Sequence, residues 1–204
     1  MTVDQLSPEH SDALQEVVNI GMGQAGDALA RLLDTFVSLS IPRIRMVELD
    51  GIMDVLHQMV GREDRVSAIR QAFFPRLRGE AIVLFPEHRM QGVAMLMGYD
   101  LAPDTQQQQE ILLDIANILV GSVLNGITQS LGTDLGFSPP SLLASDVPVE
   151  RVIDTGSVEW RHVLLVEVNF SLDEHSFRSH MLLLMAEEAL VPLREVLDHL
   201  MEAL

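Results

Sequence analysis

Two stretches decide the fold, DALQEVVNIGMGQAGDALARLLDTFVSLSIP at residues 12–42 and EILLDIANILVGSVLNGITQSLGTDLGFSPP at residues 110–140. At an offset of 98, Asn19-Ile20 falls on Asn117-Ile118, Gly23 on Gly121, Ser40 on Ser138 and Pro42 on Pro140. Further along, Ile82-Val83-Leu84-Phe85-Pro86-Glu87 resembles Leu182-Leu183-Leu184-Met185-Ala186-Glu187 at an offset of 100, so a loop in between has gained two residues. Solenoids use shorter and more numerous repeats, and a period this long with two copies implies a duplicated unit with pseudo-twofold symmetry. The division predicts one domain built from repeats at about 1–100 and 101–204.

Apolar positions in both stretches recur at helical steps. In the first copy Leu14, Val18, Gly21, Ala25, Leu29 and Leu32 share one face of a helix that opens at Ser7-Pro8, a cap followed by proline, and runs to about Asp34. In the second, Thr105 and Gln108 have capping-box spacing after Asp104, and Leu113, Ala116, Val120, Val123 or Leu124 and Ile127 form the stripe to Leu131-Gly132. Each helix is followed by proline and β-leaning sequence. The first half offers strands at Ile41–Leu49, Arg65–Phe74 and Glu80–Phe85, with a short helix at Ile52–Val60. The second offers Ser141–Ser145, a short turn or helix near Val149–Ile153, and strands Val158–Leu172 and Phe177–Met185 joined through Asp173-Glu174-His175-Ser176. Helices at Glu87–Met97 and Glu187–Leu200 close the halves, with Pro192 predicting a kink or restart in the latter. The expected fold is α/β of the α+β type. Each half reads helix, strand, short helix, strand, strand, helix, giving about six strands in a largely antiparallel sheet.

The 204 residues, 48% hydrophobic, suffice for a substantial core. Thirty acidic residues against thirteen basic ones leave a formal charge of −17, which argues against nucleic acid or an anionic membrane as partner. Every basic residue apart from histidine is an arginine, which removes lysine chemistry, and the absence of cysteine removes thiolate nucleophiles, disulfides and cysteine metal sites. The N-terminal residues lack the pattern of a signal peptide and no unbroken apolar run reaches membrane-spanning length, so a cytoplasmic protein is expected.

On the first long helix Asp12, Glu16 and Asn19 fall at i, i+4 and i+7, on the face away from the apolar stripe, with Gly23 one turn further on. The second helix sets out Glu110, Asp114, Asn117 and Gly121 at the same spacing. One such set on one helix is ordinarily just a solvated face. Glycine is disfavoured in a helix by about 1 kcal/mol relative to alanine, and asparagine is a mediocre helix former, so their paired recurrence is hard to assign to stability.

The doubled frame, Asp12-xxx-Glu16-xx-Asn19 with 22 residues before Pro42 and Glu110-xxx-Asp114-xx-Asn117 with 22 before Pro140, resembles the signature of the CheC, CheX and FliY phosphatases. These act on the phosphorylated chemotaxis regulator CheY. Length, duplication and motifs on both helices resemble CheC most, over nearly the whole chain. The second copy departs from the signature, with Asp114 for its glutamate and Glu110 for its aspartate or serine. Aspartate is shorter by one carbon–carbon bond, about 1.5 Å, so the Glu16/Asn19 site is expected to be the stronger.

The resemblance implies hydrolysis of an aspartyl phosphate on a CheY-like receiver domain in chemotaxis or two-component signalling. The catalytic residues carried over are Glu16, Asn19, Asp114 and Asn117, with Asp12, Gly23, Glu110 and Gly121 as docking positions. The protein would need no cofactor or metal of its own, because the phosphorylated receiver supplies Mg²⁺ and a lysine. Asn19 would orient a water in line with phosphorus and Glu16 would pair with the receiver's lysine. Orienting one water this way is worth on the order of 2–4 kcal/mol. A receiver-binding or adaptor module without hydrolysis is the alternative reading, favoured by Asp114. The deamidase CheD, which some CheC proteins bind, is a further candidate partner. His175 and His180 near Asp173 and Glu174 match no common metal spacing, and Gly21-Met22-Gly23-Gln24-Ala25-Gly26 lies within a helix, not at the turn that a dinucleotide needs.

Overall fold

The computed structural model describes residues 6–61, 65–86, 91–99, 103–153, 161–172 and 177–203. The chain runs α1 (Pro8–Leu33), β1 (Ser38–Leu39), β2 (Arg43–Glu48), α2 (Ile52–Val60), β3 (Arg65–Pro75), β4 (Gly79–Pro86) and α3 (Gln91–Leu96). It continues with α4 (Thr105–Leu131), β5 (Leu135–Phe137), β6 (Ser141–Pro148), β7 (His162–Leu172), β8 (Phe177–Ala186) and α5 (Leu190–Glu202). A single 3₁₀ turn precedes α2, follows β6 at Val149–Arg151, and leads into α5 at Glu187–Ala189.

Local chemistry sets the helix limits. The Ser7 hydroxyl caps α1 by accepting from the His10 amide, Pro8 takes a position where its missing N–H is not needed, and Asp34 ends the helix in the left-handed region at φ 47°. In α4 the capping box is Asp104 with Gln107, one residue earlier than the Thr105/Gln108 pair expected, because the carboxylate is the stronger acceptor for the Gln107 amide. Gly132, the counterpart of Asp34, closes α4 at φ 57°. Pro192 falls in the first turn of α5, so the sequence restarts there without a kink. The stripe of α1 ends on Leu33; Leu32, assigned to it from spacing, is 41% exposed. The connection Asp173–Ser176, the start of the Glu87–Met97 helix at 87–90 and the start of the Val158–Leu172 strand lie outside the described residues.

Among the described residues the sheet has eight strands where about six were expected, the additions being the short β1 and β5, and every pairing there is antiparallel. Its order is β1-β7-β8-β4-β3-β5, with β2 also on β7 and β6 also on β3. Exchanging each element for its counterpart reverses this order onto itself, so the duplication is built into the topology. The halves interlock, because β1 and β2 pair with β7 and β5 and β6 pair with β3.

Both sheet faces are covered, which is why β4 and β8 read as continuous apolar runs. Val83, Phe85, Val166, Val168, Met181 and Leu183 meet α1, α4 and α5 in the main core. Ile82, Leu84, Leu165, Leu182 and Leu184 pack under α2 and the Val149–Arg151 turn. There the His57 ring meets the Glu150 carboxylate at 2.8 Å, and hydrogen bonds from its own backbone and from His57 hold the Glu150 carboxyl below the usual carboxylate range. By length and composition α4 is apolar enough to cross a membrane, but most of that window is buried inside the protein against α1 and the sheet. The two long helices touch backbone to backbone: a Cβ on Gly126 would lie 2.4 Å from the Gly21 Cα, and one on Gly21 2.6 Å from the Val123 carbonyl oxygen.

Candidate functional site

With one side of α1 pressed onto α4 and the sheet, its other side presents Asp12, Glu16, Asn19 and Gly23, all exposed. Neither carboxylate nor Asn19 has a hydrogen-bond or ion-pair partner among the described residues. A Cβ on Gly23 would meet nothing within 4 Å, so the helix backbone is open there to another molecule. Asp12, Gln15, Glu16 and Asn19 form one wall of a cleft of about 380 Å³ whose other wall is Ile41 and Pro42. Pro42 is buried whereas Ile41 is 74% exposed.

The segment carrying Ile41 is anchored by Ser40. Its amide donates to the Asn169 carbonyl at 3.1 Å, and its hydroxyl accepts from the Asn169 amide at 3.1 Å and side chain at 3.2 Å. Behind these, the Asn169 Oδ1 meets the buried His180 ring at 2.5 Å. The same latch recurs in the other copy, where Ser138 donates to the Ala72 carbonyl at 2.8 Å and accepts from the Ala72 amide at 3.0 Å. Serine and proline at matching positions thus pin the post-helix segment against the strand of the opposite half.

On α4, Glu110, Asp114 and Asn117 are also exposed, and Glu110 accepts from Gln106 at 3.1 Å. Gly121 departs from expectation. It is buried, and a Cβ there would sit 3.6 Å from the Phe137 ring, so the spot left open at Gly23 is occupied here by the protein's own side chain. Leu39, the counterpart of Phe137, turns instead onto Gly26, where a Cβ would come within 2.9 Å of it. The rims differ too. Where the first copy exposes Ile41 and Phe36, the second has Pro139 and Asp134.

Two residues escaped the motif reading. Ile41 sits beside the proline of the frame and was expected to open a strand, but β2 begins only at Arg43 and leaves Ile41 on the surface. Gln71 shares a face of β3 with Ile69 and Phe73, both in the main core, so strand alternation alone places an amide under α4. Among the described residues no group of three or more His, Asp or Glu is arranged to hold a metal ion. Asp173, Glu174 and His175 lie outside them. A larger hollow of about 770 Å³, bounded by Phe74, Arg76, Arg78 and Pro192, shares no residue with either helix pattern.

The sequence model of the CheC-like family matches residues 9–44, the stretch that holds Asp12, Glu16, Asn19, Ile41 and Pro42. A CheY-P phosphatase CheC from Bacillus subtilis is 25% identical over 191 residues, covering 88% of this chain and 89% of that protein. In sequence the chain is thus similar to CheC, most strongly across the α1 frame. The fold agrees. FliY of Thermotoga maritima superposes with a TM-score of 0.73 at 16% identity, over 95% of this chain and 98% of the other. CheX from Borrelia burgdorferi, solved in complex with CheY, BeF₃ and Mg²⁺, gives a structural match of TM-score 0.55 at 11% identity, over 84% and 99%. The expected CheC-like architecture, antiparallel sheet and internal duplication included, is thus the one observed.

Proposed function

We propose that this protein is a phosphatase for the aspartyl phosphate of a CheY-like receiver domain in the cytoplasm, working chiefly through Glu16 and Asn19. The observation that carries the reading is the cleft on α1, where an unpartnered carboxylate and an unpartnered amide stand one turn apart beside the exposed Ile41. An acidic surface suits a partner whose active face carries a metal ion and a lysine, and an exposed apolar residue supplies contact area that charge alone does not.

In this mechanism Glu16 pairs with the receiver's lysine and sets the register, while the open backbone at Gly23 and the carboxylate of Asp12 complete the docking face. The receiver supplies Mg²⁺. Asn19 then holds a water in line with phosphorus. The water oxygen bonds to phosphorus as the aspartyl oxygen–phosphorus bond breaks, releasing the receiver carboxylate and inorganic phosphate. The two halves, at about 1–100 and 101–204, act as one domain with two such helices.

The second site, with Asp114 and Asn117, is read as the weaker. Its shorter carboxylate, its covered Gly121 and its missing apolar rim favour receiver binding over hydrolysis there, and the docking roles of Glu110 and Gly121 are correspondingly reduced. The direct test is Asp114→Glu in an Asn19→Ala background, followed by phosphate release from a phosphorylated receiver. A rate gain supports reach as a limit on this site, and an unchanged rate removes reach from the explanation. No residue of the described surface singles out CheD as partner.

A further inference from the structure

Asn19 and Asn117 occupy matching helix positions but are held differently. Asn19 has no hydrogen-bond partner among the described residues, whereas the Asn117 Oδ1 accepts from the Gln71 Nε2 at 3.4 Å. That nitrogen also donates to the Ser138 carbonyl at 2.9 Å, which fixes which end of the Gln71 amide is nitrogen. Gln71 is 1% exposed, and its Oε1 is buried without a partner among the described residues. An apolar side chain of similar shape would avoid that loss. The other half has one. Val66 of β3 pairs with Pro86 as Val163 of β7 pairs with Ala186, so Gln71, five residues past Val66, corresponds to the buried Val168. Gln71 is a poor choice for the core, and its placement ties β3, the Ser138 segment and Asn117 together.

We infer that Gln71 is a positioning residue that turns the second site from hydrolysis towards receiver binding by holding Asn117 through its carbonyl. This rests on the phosphatase reading above. As the water oxygen bonds to phosphorus and the aspartyl oxygen leaves, the water gives up a proton that ends on the released phosphate, and a side-chain carbonyl accepting from the water's hydrogen helps to align it. Among the described residues nothing engages either end of the Asn19 amide, so Oδ1 can face the water's hydrogen while Nδ2 faces a phosphoryl oxygen. Asn117 has its Oδ1 drawn towards the buried Gln71, so its Nδ2 is the end left facing outward for the partner. Such a site grips a phosphorylated receiver and orients water poorly.

The test isolates the second site with Asn19→Ala and compares Gln71 with Gln71→Met, of similar volume, and Gln71→Val, the residue of the other half. Receiver phosphate decay is followed at saturating protein, receiver affinity is measured separately, and the side-chain amide resonance of Asn117 is recorded by NMR. The expected result is a rate gain of about threefold or more in at least one variant. Affinity stays within about twofold and the Asn117 resonance moves. Damage to the fold would not raise the rate. An Asn117 resonance unmoved by both variants shows that the tether is absent in solution and overturns the proposal. So does a moved resonance with no rate gain, provided the protein with Asn19 intact accelerates decay. If that protein has no effect on decay, the phosphatase reading itself fails, and the role of Gln71 in it falls for that separate reason.

Discussion

Ile82 of β4 lies directly opposite Leu182 of β8, one hundred residues further along the chain. These two are counterparts in the repeat, so the local twofold passes between them, at the centre of a sheet whose order reads the same from either edge. The duplicated helices are therefore carried to matching places on one sheet face. Divergence between the two sites must come from individual side chains rather than from the frame.

Gly23 and Gly126 are both helical, and they should respond oppositely to alanine. At Gly23 the added methyl meets open space, so Gly23→Ala should stabilise the protein by up to about 1 kcal/mol. The same methyl stands where a partner backbone would approach, and receiver affinity should fall. Gly126→Ala forces α1 from α4 and should cost roughly 3 kcal/mol. Chemical denaturation and receiver titration check the three values. A Gly23→Ala protein that binds its receiver unchanged would remove Gly23 from the docking face.

Ile41, 74% exposed at the lip of the cleft, should be covered on docking. Burial of an isoleucine side chain contributes about 1.5–3 kcal/mol, so Ile41→Asp should weaken receiver binding by roughly tenfold or more. Turnover at saturating protein should change little. Steady-state kinetics separate the two, since loss of turnover with intact affinity would place Ile41 in the chemistry instead.

Arg45 of β2 donates to Glu167 of β7 at 2.9 Å, and the Glu167 side chain is only 4% exposed. Arg43 reaches the same carboxylate only at 3.9 Å, from solvent. Arg45→Met leaves a buried charge poorly matched and should destabilise the protein by roughly 3 kcal/mol. Adding Glu167→Leu should recover most of that loss. Urea midpoints for the single and double variants decide it, and equal losses in both would mean that packing, not charge, holds β2 to β7.

Much of the fold is legible in the amino acids because the copies inform each other. The limits of α1 and α4 follow from Ser7-Pro8, Asp104 and the left-handed residues Asp34 and Gly132, all local signals. The limits of α2 follow from its apolar periodicity and Gly61. The short strands β1 and β5 were not legible, since two or three residues carry no period and are ordered by pairing with distant β7 and β3. Leu32 was misassigned because spacing does not distinguish a stripe's last residue from the next. In the site, the exposure of Glu16 and Asn19 followed from the stripe opposite them. The burial of Gly121 did not, because it depends on the direction taken by Phe137, set by tertiary packing rather than by local sequence. Gln71 was hidden for the same reason: an amide in a strand becomes informative only once the helix above it is known.

The central claim is that the amide of Asn19 drives hydrolysis. The most direct measurement is the decay of a receiver's aspartyl phosphate under excess of this protein, compared for wild type, Asn19→Ala and Asn117→Ala. Loss of one positioned hydrogen-bonding group should lower the accelerated rate by about 100-fold in Asn19→Ala, with receiver binding retained and with only a small change in Asn117→Ala. An Asn19→Ala protein that dephosphorylates the receiver at the wild-type rate would contradict it.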